Sequence, residues 1–546
     1  MVSVKPEGFH IPYPLLWLAL AAVIIYFPTF SFGFTDLDDS IFIRDFREYN
    51  ENLHNLITSF SRGVFDATKD SYYRPLFLDS MILNYHSSGL NEAGYHIANV
   101  LFHIVSVLLL YQLFKKLQVK DLHAFLLCLV FAIHPVLSEA VAWIPGRNDT
   151  LLAIFTLSFL ISSINYSDTG KTKWLLLSTL FLILSFFTKE TAVFDPPIAF
   201  ILLVVLLKKN WRDQRNLVQY GIWIGCFVLW FVARSMATLQ PIPVTGMQLI
   251  SDFIHRLPVI IQYIGKMFIP VNLSVFPIIE DTVYYYGFAA IALLAIAIYL
   301  NRQRDWRVVC SGFAIFLLFL TPVLLVPKSL NEQTFEHRLY LPMIGILLIL
   351  SQTILLINKL ADKQLLISGL VVIGILAGVN YYHQKNFASP VAFWTQAVET
   401  SPHSAYANMM LGAREDNLQQ SYKLFRRAYQ LNPKEKYLNF YYGVMLQKED
   451  SVLASEKYLL AEKNTSDYYE CDFYLARVAM ERKNLTGAIA LLVAYLKRDP
   501  TNKIANNNLL LMYIDTKQPD KAISQAKHMQ LMGLDVPKQI LQALGM

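Results

Sequence analysis

The sequence predicts an all-α protein in two parts: a polytopic helical membrane bundle followed by a water-soluble solenoid of helix pairs. Three observations lead there. Of 546 residues, 55% are hydrophobic and only 16% charged, with mean hydropathy +0.38, whereas soluble chains carry about 25% charged residues. The shortfall is uneven: 27 Lys/Arg and 25 Asp/Glu make residues 1–382 about 14% charged, while 20 and 16 make residues 383–546 about 22% charged. Finally, alanines recur 34 residues apart in the second part, at Ala454, Ala488 and Ala522.

Apolar runs that match a bilayer core, about 17–25 residues, lie near 13–33, 97–114, 124–144, 217–236, 284–300, 308–326, 339–357 and 365–382. Three shorter runs, 150–164, 174–187 and 191–207, bring the expected crossings to 11. The first run ends in FPTFSFGFTDLDD with no small-residue cleavage site, so it reads as a retained span rather than a signal peptide. Residues 255–276 are apolar but carry Arg256, Pro258, Lys266 and Pro270, which suit an interfacial or re-entrant segment better than a further crossing.

The loops alternate in charge. Lys5; Lys115, Lys116 and Lys120; Lys171 and Lys173; Lys208, Lys209, Arg212 and Arg215; Arg302, Arg304 and Arg307; and Lys359 and Lys363 form one set, with 15 basic and 6 acidic residues. Short basic loops stay cytoplasmic. The N-terminus is therefore expected inside and the part beyond the last span outside. The basic residues line membrane edges rather than one patch, so a net charge of +6 does not imply nucleic acid. Cys128, Cys226 and Cys310 sit in apolar runs and Cys471 stands alone, with no CxxC or Cys/His ligand spacing, which excludes a disulfide framework and structural zinc.

From about 391 to 536 the pattern is helix–turn–helix with a period near 34. Ala454, Ala488 and Ala522 are expected where paired helices approach closely. Pro402, Pro433 and Pro500 end units, and Trp394 and Gly412 are packing positions. The pattern resembles tetratricopeptide repeats, about four of them, with the one around 404–433 shortened. One unit cannot bury its apolar face alone, so the array stacks; it offers a concave surface for a peptide or protein, or it only braces the membrane part. The expected domains are 1–382 in the membrane, 383–390 as linker and 391–546 as repeats.

Polar residues beside spans are costly and mark function, and here they gather on the external loops. These loops carry Asp36, Asp38 and Asp39; Tyr72, Tyr73 and Arg74; the string HPVLSEAVAWIPGRND from His134 to Asp149; Lys189 and Glu190; and EHRLYLP from Glu336 to Pro342. Each piece alone has a plain structural reading. His134–Pro135 caps or breaks a helix, Lys189–Glu190 is a surface ion pair, the aspartates are solvated loop, and His96 and His103 are buried packing residues of an apolar span. Together they place carboxylates able to serve as base or metal ligand beside Arg and Lys able to hold phosphate.

Read in order, the Asp pair, YYRPL (72–76), GYHIANVLFHIVSVLLLYQLF (94–114), HPVLSEAVAWIPGRND, the Lys–Glu pair and EHRLYLP followed by repeats resemble the transmembrane-and-tetratricopeptide-repeat proteins. These are relatives of the protein O-mannosyltransferases in the GT-C superfamily of membrane glycosyltransferases. The resemblance implies a GT-C-type bundle, a sugar donor linked to polyprenyl phosphate, inverting transfer and a protein hydroxyl acceptor. It departs at His337, where a more variable or basic neighbour is expected, and in the short repeat array. The short array favours a bacterial relative, with an inner-membrane location and periplasmic repeats.

The residues suit that chemistry on their own terms. Transfer to a Ser/Thr hydroxyl needs a base and cations to stabilise the departing phosphate. Asp38 is the expected base, and Asp39 positions the acceptor or a divalent ion. Arg74, Arg147, Lys189 and Arg338 are the expected phosphate ligands. His134, Glu139, Asp149, Glu190, Glu336 and Tyr340 support them, with Glu190 and Glu336 orienting the cations. Metal use is open: Asp38 and Asp39 oxygens suit Mg²⁺ or Mn²⁺, and Arg and Lys can do the same work. The alternatives are a glycan or lipid acceptor, a non-enzymatic scaffold whose repeats recruit partners, and a transporter, which the lack of an internal repeat among the spans disfavours.

Overall fold

The computed structural model describes residues 11–65, 70–238, 245–327, 332–353, 361–466 and 468–546. Lys5, Lys359 and the end of the 339–357 run lie outside them. The chain divides into two compact units, Met1–Ser401 and Pro402–Met546, and among the described residues both consist of helices and turns with no strand.

The first unit contains α1 (Pro14–Tyr26), α2 (Pro75–Ser88), α3 (Glu92–Lys116), α4 (Asp121–Ile133), α5 (Ser138–Ala142), α6 (Arg147–Thr169), α7 (Thr172–Thr188), α8 (Asp195–Phe200) and α9 (Gln214–Ala237). It continues with α10 (Gly246–Arg256), α11 (Val259–Phe268), α12 (Tyr285–Leu300), α13 (Trp306–Leu325), α14 (Pro342–Leu350), α15 (Asp362–His383) and α16 (Pro390–Thr400). Six described helical stretches are long and apolar enough to cross a membrane: Pro14–Ser31, Glu92–Lys116, Ile144–Thr169, Gln214–Ala237, Trp306–Leu325 and Asp362–Phe387. Asp121–Ile133 with Pro135–Ala142, bent by 52°, makes a seventh if taken as one span. This is a multi-pass membrane protein. The other expected crossings are shorter pieces: α7 has 17 residues and α12 has 16, α8 runs on in a wider turn to Leu206, and α14 has 9 residues. Within 255–276, α11 has 10 residues; at 1.5 Å per residue it is about 15 Å long, half of a bilayer core of about 30 Å.

Lipid tails give helices little hydrophobic reason to associate, so close approach and buried hydrogen bonds carry the packing. Gly312 on α13 and Gly345 on α14 meet backbone to backbone; a Cβ on Gly345 would stand 2.2 Å from the Gly312 carbonyl oxygen. Asn380 of α15 donates to the Tyr26 hydroxyl at 3.1 Å and the Ile133 carbonyl at 2.9 Å, and Gln384 donates to the Ile25 carbonyl at 2.8 Å, fastening α15 to α1 and α4. The break between α4 and α5 has a local cause. Pro135 has no N–H to continue the helix, and His134 takes over as cap: its Nδ1 accepts from the Val136 N–H at 3.2 Å and its Nε2 donates to the Met267 carbonyl at 2.9 Å.

The division between units falls after Ser401, ten residues beyond the start of repeats expected at 391. Helix α16 belongs to the first unit because Gln396 donates to the Leu273 carbonyl at 2.8 Å and accepts from the Val275 N–H at 2.9 Å. Ser401 donates to the Phe276 carbonyl at 2.8 Å.

The second unit pairs α17 (Ala405–Gly412) with α18 (Leu418–Leu431), α19 (Leu438–Lys448) with α20 (Val452–Ser466), α21 (Glu470–Glu481) with α22 (Leu485–Leu496) and α23 (Lys503–Asp515) with α24 (Pro519–Leu531), ending in α25 (Lys538–Ala543). Ser404, Asn417, Asn484 and Asn502 cap their helices by accepting from a backbone N–H three residues on. Ala488 and Ala522 are fully buried at the close approaches, but Ala454 is exposed. Ser455 takes its place: it is fully buried and accepts from Gln447 Nε2 at 3.0 Å. The register slips by one residue there because a serine that can donate to its own helix, here to the Val452 carbonyl at 2.6 Å, tolerates the inward position.

Candidate functional site

The turn that follows the first span is built by Asp39. Its buried carboxylate accepts from the Thr35 N–H (2.6 Å) and hydroxyl (3.0 Å), the Leu37 N–H (3.2 Å) and the Ser40 N–H (3.0 Å). Burial pushes this carboxyl up to about 6 even against those donors. Asp38, at the start of the one-turn helix Asp38–Ser40, is held by that turn but has no hydrogen-bond partner among the described residues. Burial and the neighbouring Asp39 charge raise it to about 7, and the Arg74 guanidinium pulls the other way. The two aspartates thus have different duties: Asp39 is spent on the backbone, and Asp38 is available.

Arg74 sits just before α2, where its Nε donates to Glu190 Oε2 at 2.9 Å; Glu190 Oε1 accepts from the Tyr73 N–H at 2.9 Å. Burial alone would raise Glu190, but Arg74 and the backbone N–H groups hold it below its usual range. Lys189 Nζ donates to both oxygens of Asp149, at 2.7 and 2.8 Å; burial outweighs that attraction and holds the ammonium below its usual range. Arg74 and Arg338 both lie within electrostatic reach of Lys189. Arg338 donates from Nη1 to the Gln333 carbonyl at 2.8 Å and lies 5.5 Å from the Phe335 ring. Among the described residues it has no carboxylate within ion-pair distance. Asp38, Arg74, Glu190, Asp149, Lys189 and Arg338 therefore form one charged cluster drawn from four separate loops and helix ends.

The loop that carries Arg338 is tied down on every side. Glu336 accepts from Lys266 Nζ at 2.5 Å and the Ser274 N–H at 2.9 Å, and both side chains of the ion pair are 1% exposed. The His337 N–H donates to Glu139 Oε2 at 2.8 Å, and the His337 ring stacks on Phe335. Burial, reinforced by the surrounding cations, keeps this imidazole far below its usual range, hence neutral. Tyr340 shares a 2.6 Å hydrogen bond with His103. Glu336, Glu139 and Tyr340 thus act on loop position, and Lys266, which the sequence marks only as an oddity in an apolar stretch, is the buried partner that reasoning from the sequence missed.

Arg147 is placed elsewhere. It is fully buried and donates to Asn99 Oδ1 (2.9 Å), Asn84 Oδ1 (2.9 Å), and the Ser80 (3.3 Å) and Tyr95 (3.0 Å) carbonyls. Asn99 in turn donates to the Val141, Trp143 and Ile144 carbonyls at 3.1–3.2 Å. Arg147 thus braces the break between α5 and α6, its guanidinium taken up by these four acceptors. His134 is likewise a cap. Among the described residues no group of three His, Cys, Asp or Glu side chains is placed to hold a metal ion, and Asp39, one half of the expected pair, has its oxygens committed to backbone and Thr35.

The fold and site define a class: a multi-pass helical membrane protein with an acid–base cluster assembled from its loops. Comparison with known proteins adds kinship. The sequence model of the dolichyl-phosphate-mannose-protein mannosyltransferase family matches residues 84–235, a stretch that includes His134, Glu139, Arg147, Asp149, Lys189 and Glu190. The chain is 36% identical over 141 residues to a protein O-mannosyl-transferase of Caenorhabditis elegans (25% of this chain, 20% of that one). It is 37% identical over 136 residues to the protein O-mannosyl-transferase TMTC1 of Mus musculus (24% and 14%), and 41% identical over 98 residues to TMTC2 of Homo sapiens (18% and 12%). The chain matches a fifth or less of the length of these relatives. A crystal structure of ArnT from Cupriavidus metallidurans bound to undecaprenyl phosphate aligns over 76% of this chain and 74% of that one at 14% identity and TM-score 0.38, too loose a likeness to fix a fold. The resemblance read from the motifs to the transmembrane-and-tetratricopeptide-repeat proteins holds over this stretch.

Proposed function

We propose that this protein is a GT-C-type membrane glycosyltransferase that moves a sugar from a polyprenyl-phosphate donor to Ser/Thr hydroxyls of an external protein, with inversion. One observation carries the reading: Asp38, a carboxylate with no hydrogen-bond partner among the described residues, lies in the same cluster as Arg338, which has no carboxylate partner among them, and the two ion pairs Arg74–Glu190 and Lys189–Asp149. Asp38 takes the proton from the acceptor hydroxyl. The hydroxyl oxygen attacks the anomeric carbon as the bond to phosphate breaks, and a single displacement inverts that carbon. The phosphate leaves with the bonding electrons, its growing charge met by Arg338 and, at longer range, by Lys189 and Arg74. The carboxylates paired with Lys189 and Arg74 hold those cations in place without a donor bound. An apolar groove of about 350 Å³ lined by Phe186, Val193, Pro197, Phe200, Trp223 and Phe227 begins three residues to either side of Lys189–Glu190 and suits an isoprenoid chain. The loop charges favour an external cluster and external repeats, and the repeats are the natural holder of a protein acceptor.

The test is transfer by the protein reconstituted in vesicles with polyprenyl-phosphate mannose and either a folded Ser/Thr-rich protein or a short Ser/Thr peptide. Truncation after Ser401, which leaves α16 on the first unit, should abolish modification of the folded protein while transfer to the peptide at high concentration survives. If the truncated protein modifies the folded acceptor at the original rate, protein gives way to glycan as preferred acceptor. Neither transfer nor donor hydrolysis with the full chain would leave the scaffold reading standing.

A further inference from the structure

Helix α10 is divided into three clean sectors. With about 100° between successive residues, Leu249, Asp252, Phe253 and Arg256 share an inward arc of about 100°, and these are its half-buried or buried positions. Gln248, Ser251 and His255 share an exposed polar arc of about 60°. Met247 (78% exposed), Ile250 (58%), Ile254 (60%) and Leu257 (39%), just past the helix end, share an exposed apolar arc of about 80°. The helix has 11 residues, so it is about 17 Å long and cannot cross a bilayer core. It packs against α13, a membrane-spanning helix whose own Phe313 and Leu325 are each 46% exposed, so the uncovered apolar arc continues a lipid-facing surface.

We infer that α10 is a membrane-surface helix, seated in the headgroup layer with Met247, Ile250, Ile254 and Leu257 in the lipid, Gln248, Ser251 and His255 in water, and the third sector on the protein. That three-way division is what an interfacial helix at a protein flank requires; a helix standing in water has no use for the apolar arc, and a span has none for the polar one. The consequence reaches the site. Arg256, on the inward sector, is held below its usual range by burial and by the nearby Arg338 guanidinium, so the depth of α10 sets the level at which this pair of cations stands relative to the lipid phosphates. The inference concerns where the helix lies, whatever reaction the cluster performs.

Single nitroxide labels read that depth. Cys310→Ala removes the exposed native thiol, the other cysteines being buried, and cysteines are then introduced at Met247, Ile250, Ile254, Gln248 and Ser251. In phosphatidylcholine–phosphatidylglycerol vesicles the first three should be relaxed by oxygen and shielded from a water-soluble nickel chelate, about 5–10 Å below the headgroup boundary; the last two should be nickel-accessible. Equal nickel access at all five positions overturns the inference, as does exclusion of both relaxants from the apolar three, which would mean that a protein surface covers them. Ile250→Asp with Ile254→Asp should restore nickel access at Met247, and an unchanged depth there would equally overturn it.

Discussion

Arg147 and Arg338 are alike in type and both belong to motifs at the mouths of membrane helices, yet their surroundings are opposite. Arg147 is fully buried and spends its guanidinium on four acceptors, Ser80 and Asn84 of α2 and Tyr95 and Asn99 of α3. Among the described residues Arg338 donates one hydrogen bond, to the Gln333 carbonyl, and stands half-buried among other charges. Asp39 and Asp38 repeat the contrast within two adjacent residues. A side chain whose hydrogen-bonding capacity is already used holds the fold; one left with spare capacity in a cluster of like and unlike charges is positioned for something that arrives. Residue type and spacing do not distinguish the two cases.

The sharpest way to break this comparison is at the aspartates. Asp38→Asn keeps size and shape but removes the base, so transfer should fall about 10²–10⁴-fold with thermal stability in detergent unchanged. Asp39→Asn should instead lower stability, because an amide NH₂ replaces one oxygen that accepts backbone N–H groups. If Asp38→Asn retains full activity while Asp39→Asn loses it without loss of stability, the two roles are exchanged.

The arginines come next. Arg147→Met leaves the Asn99, Asn84, Ser80 and Tyr95 acceptors buried and unmatched, at about 1 kcal/mol or more each, so the unit should melt markedly earlier or fail to accumulate. Arg338→Gln should leave melting unchanged and lower kcat/KM for the lipid-linked donor about 10- to 100-fold, the worth of a charge-assisted hydrogen bond of about 1.5–3 kcal/mol. A donor-specific defect in stable Arg147→Met protein would return Arg147 to the phosphate.

A smaller and more specific effect lies in the pH profile. Asp38 serves as base only when ionised, and burial raises its carboxyl to about 7. Rate should therefore climb as pH rises through about 7 and fall as pH drops below it. Arg74 pulls this pKa down, so Arg74→Met should move the rising limb to higher pH. A limb that stays in place, or moves to lower pH, would disconnect Arg74 from Asp38.

Much of this was legible in the sequence, for physical reasons. Membrane helices announce themselves by length and composition, and loop order brought Asp38, Arg74, Asp149, Lys189, Glu190 and Arg338 forward as candidates. What the sequence could not show was saturation: nothing in HPVLSEAVAWIPGRND tells that Arg147 turns back to Asn84 and Asn99, or that His134 caps a break. Lys266 was hidden because its partner, Glu336, is 70 residues away, and buried ion pairs between distant segments leave no periodic trace. Helix α16, where the sequence pattern begins its repeats, groups instead with the first unit through hydrogen bonds to residues 273–276, a long-range contact that leaves no periodic trace.

The smallest expected effect tests the same distinction in the repeat unit. The 34-residue spacing makes Ala454, Ala488 and Ala522 equivalent, but Ala454 is exposed while Ala488 and Ala522 are fully buried. Ala454→Lys places a long polar side chain in solvent on a helix it suits, so stability should change by no more than about 0.5 kcal/mol. Ala488→Lys puts the same side chain into a position with no room and no counter-charge, and should unfold the pair α21–α22. Ser455→Ala discriminates further: it removes one of the two acceptors of Gln447 Nε2, the other being the Tyr474 carbonyl at 2.9 Å, and should cost about 1 kcal/mol. Were Ala454→Lys as damaging as Ala488→Lys, the inward position would belong to Ala454 after all, and strict 34-residue equivalence would describe the repeats better than the one-residue slip.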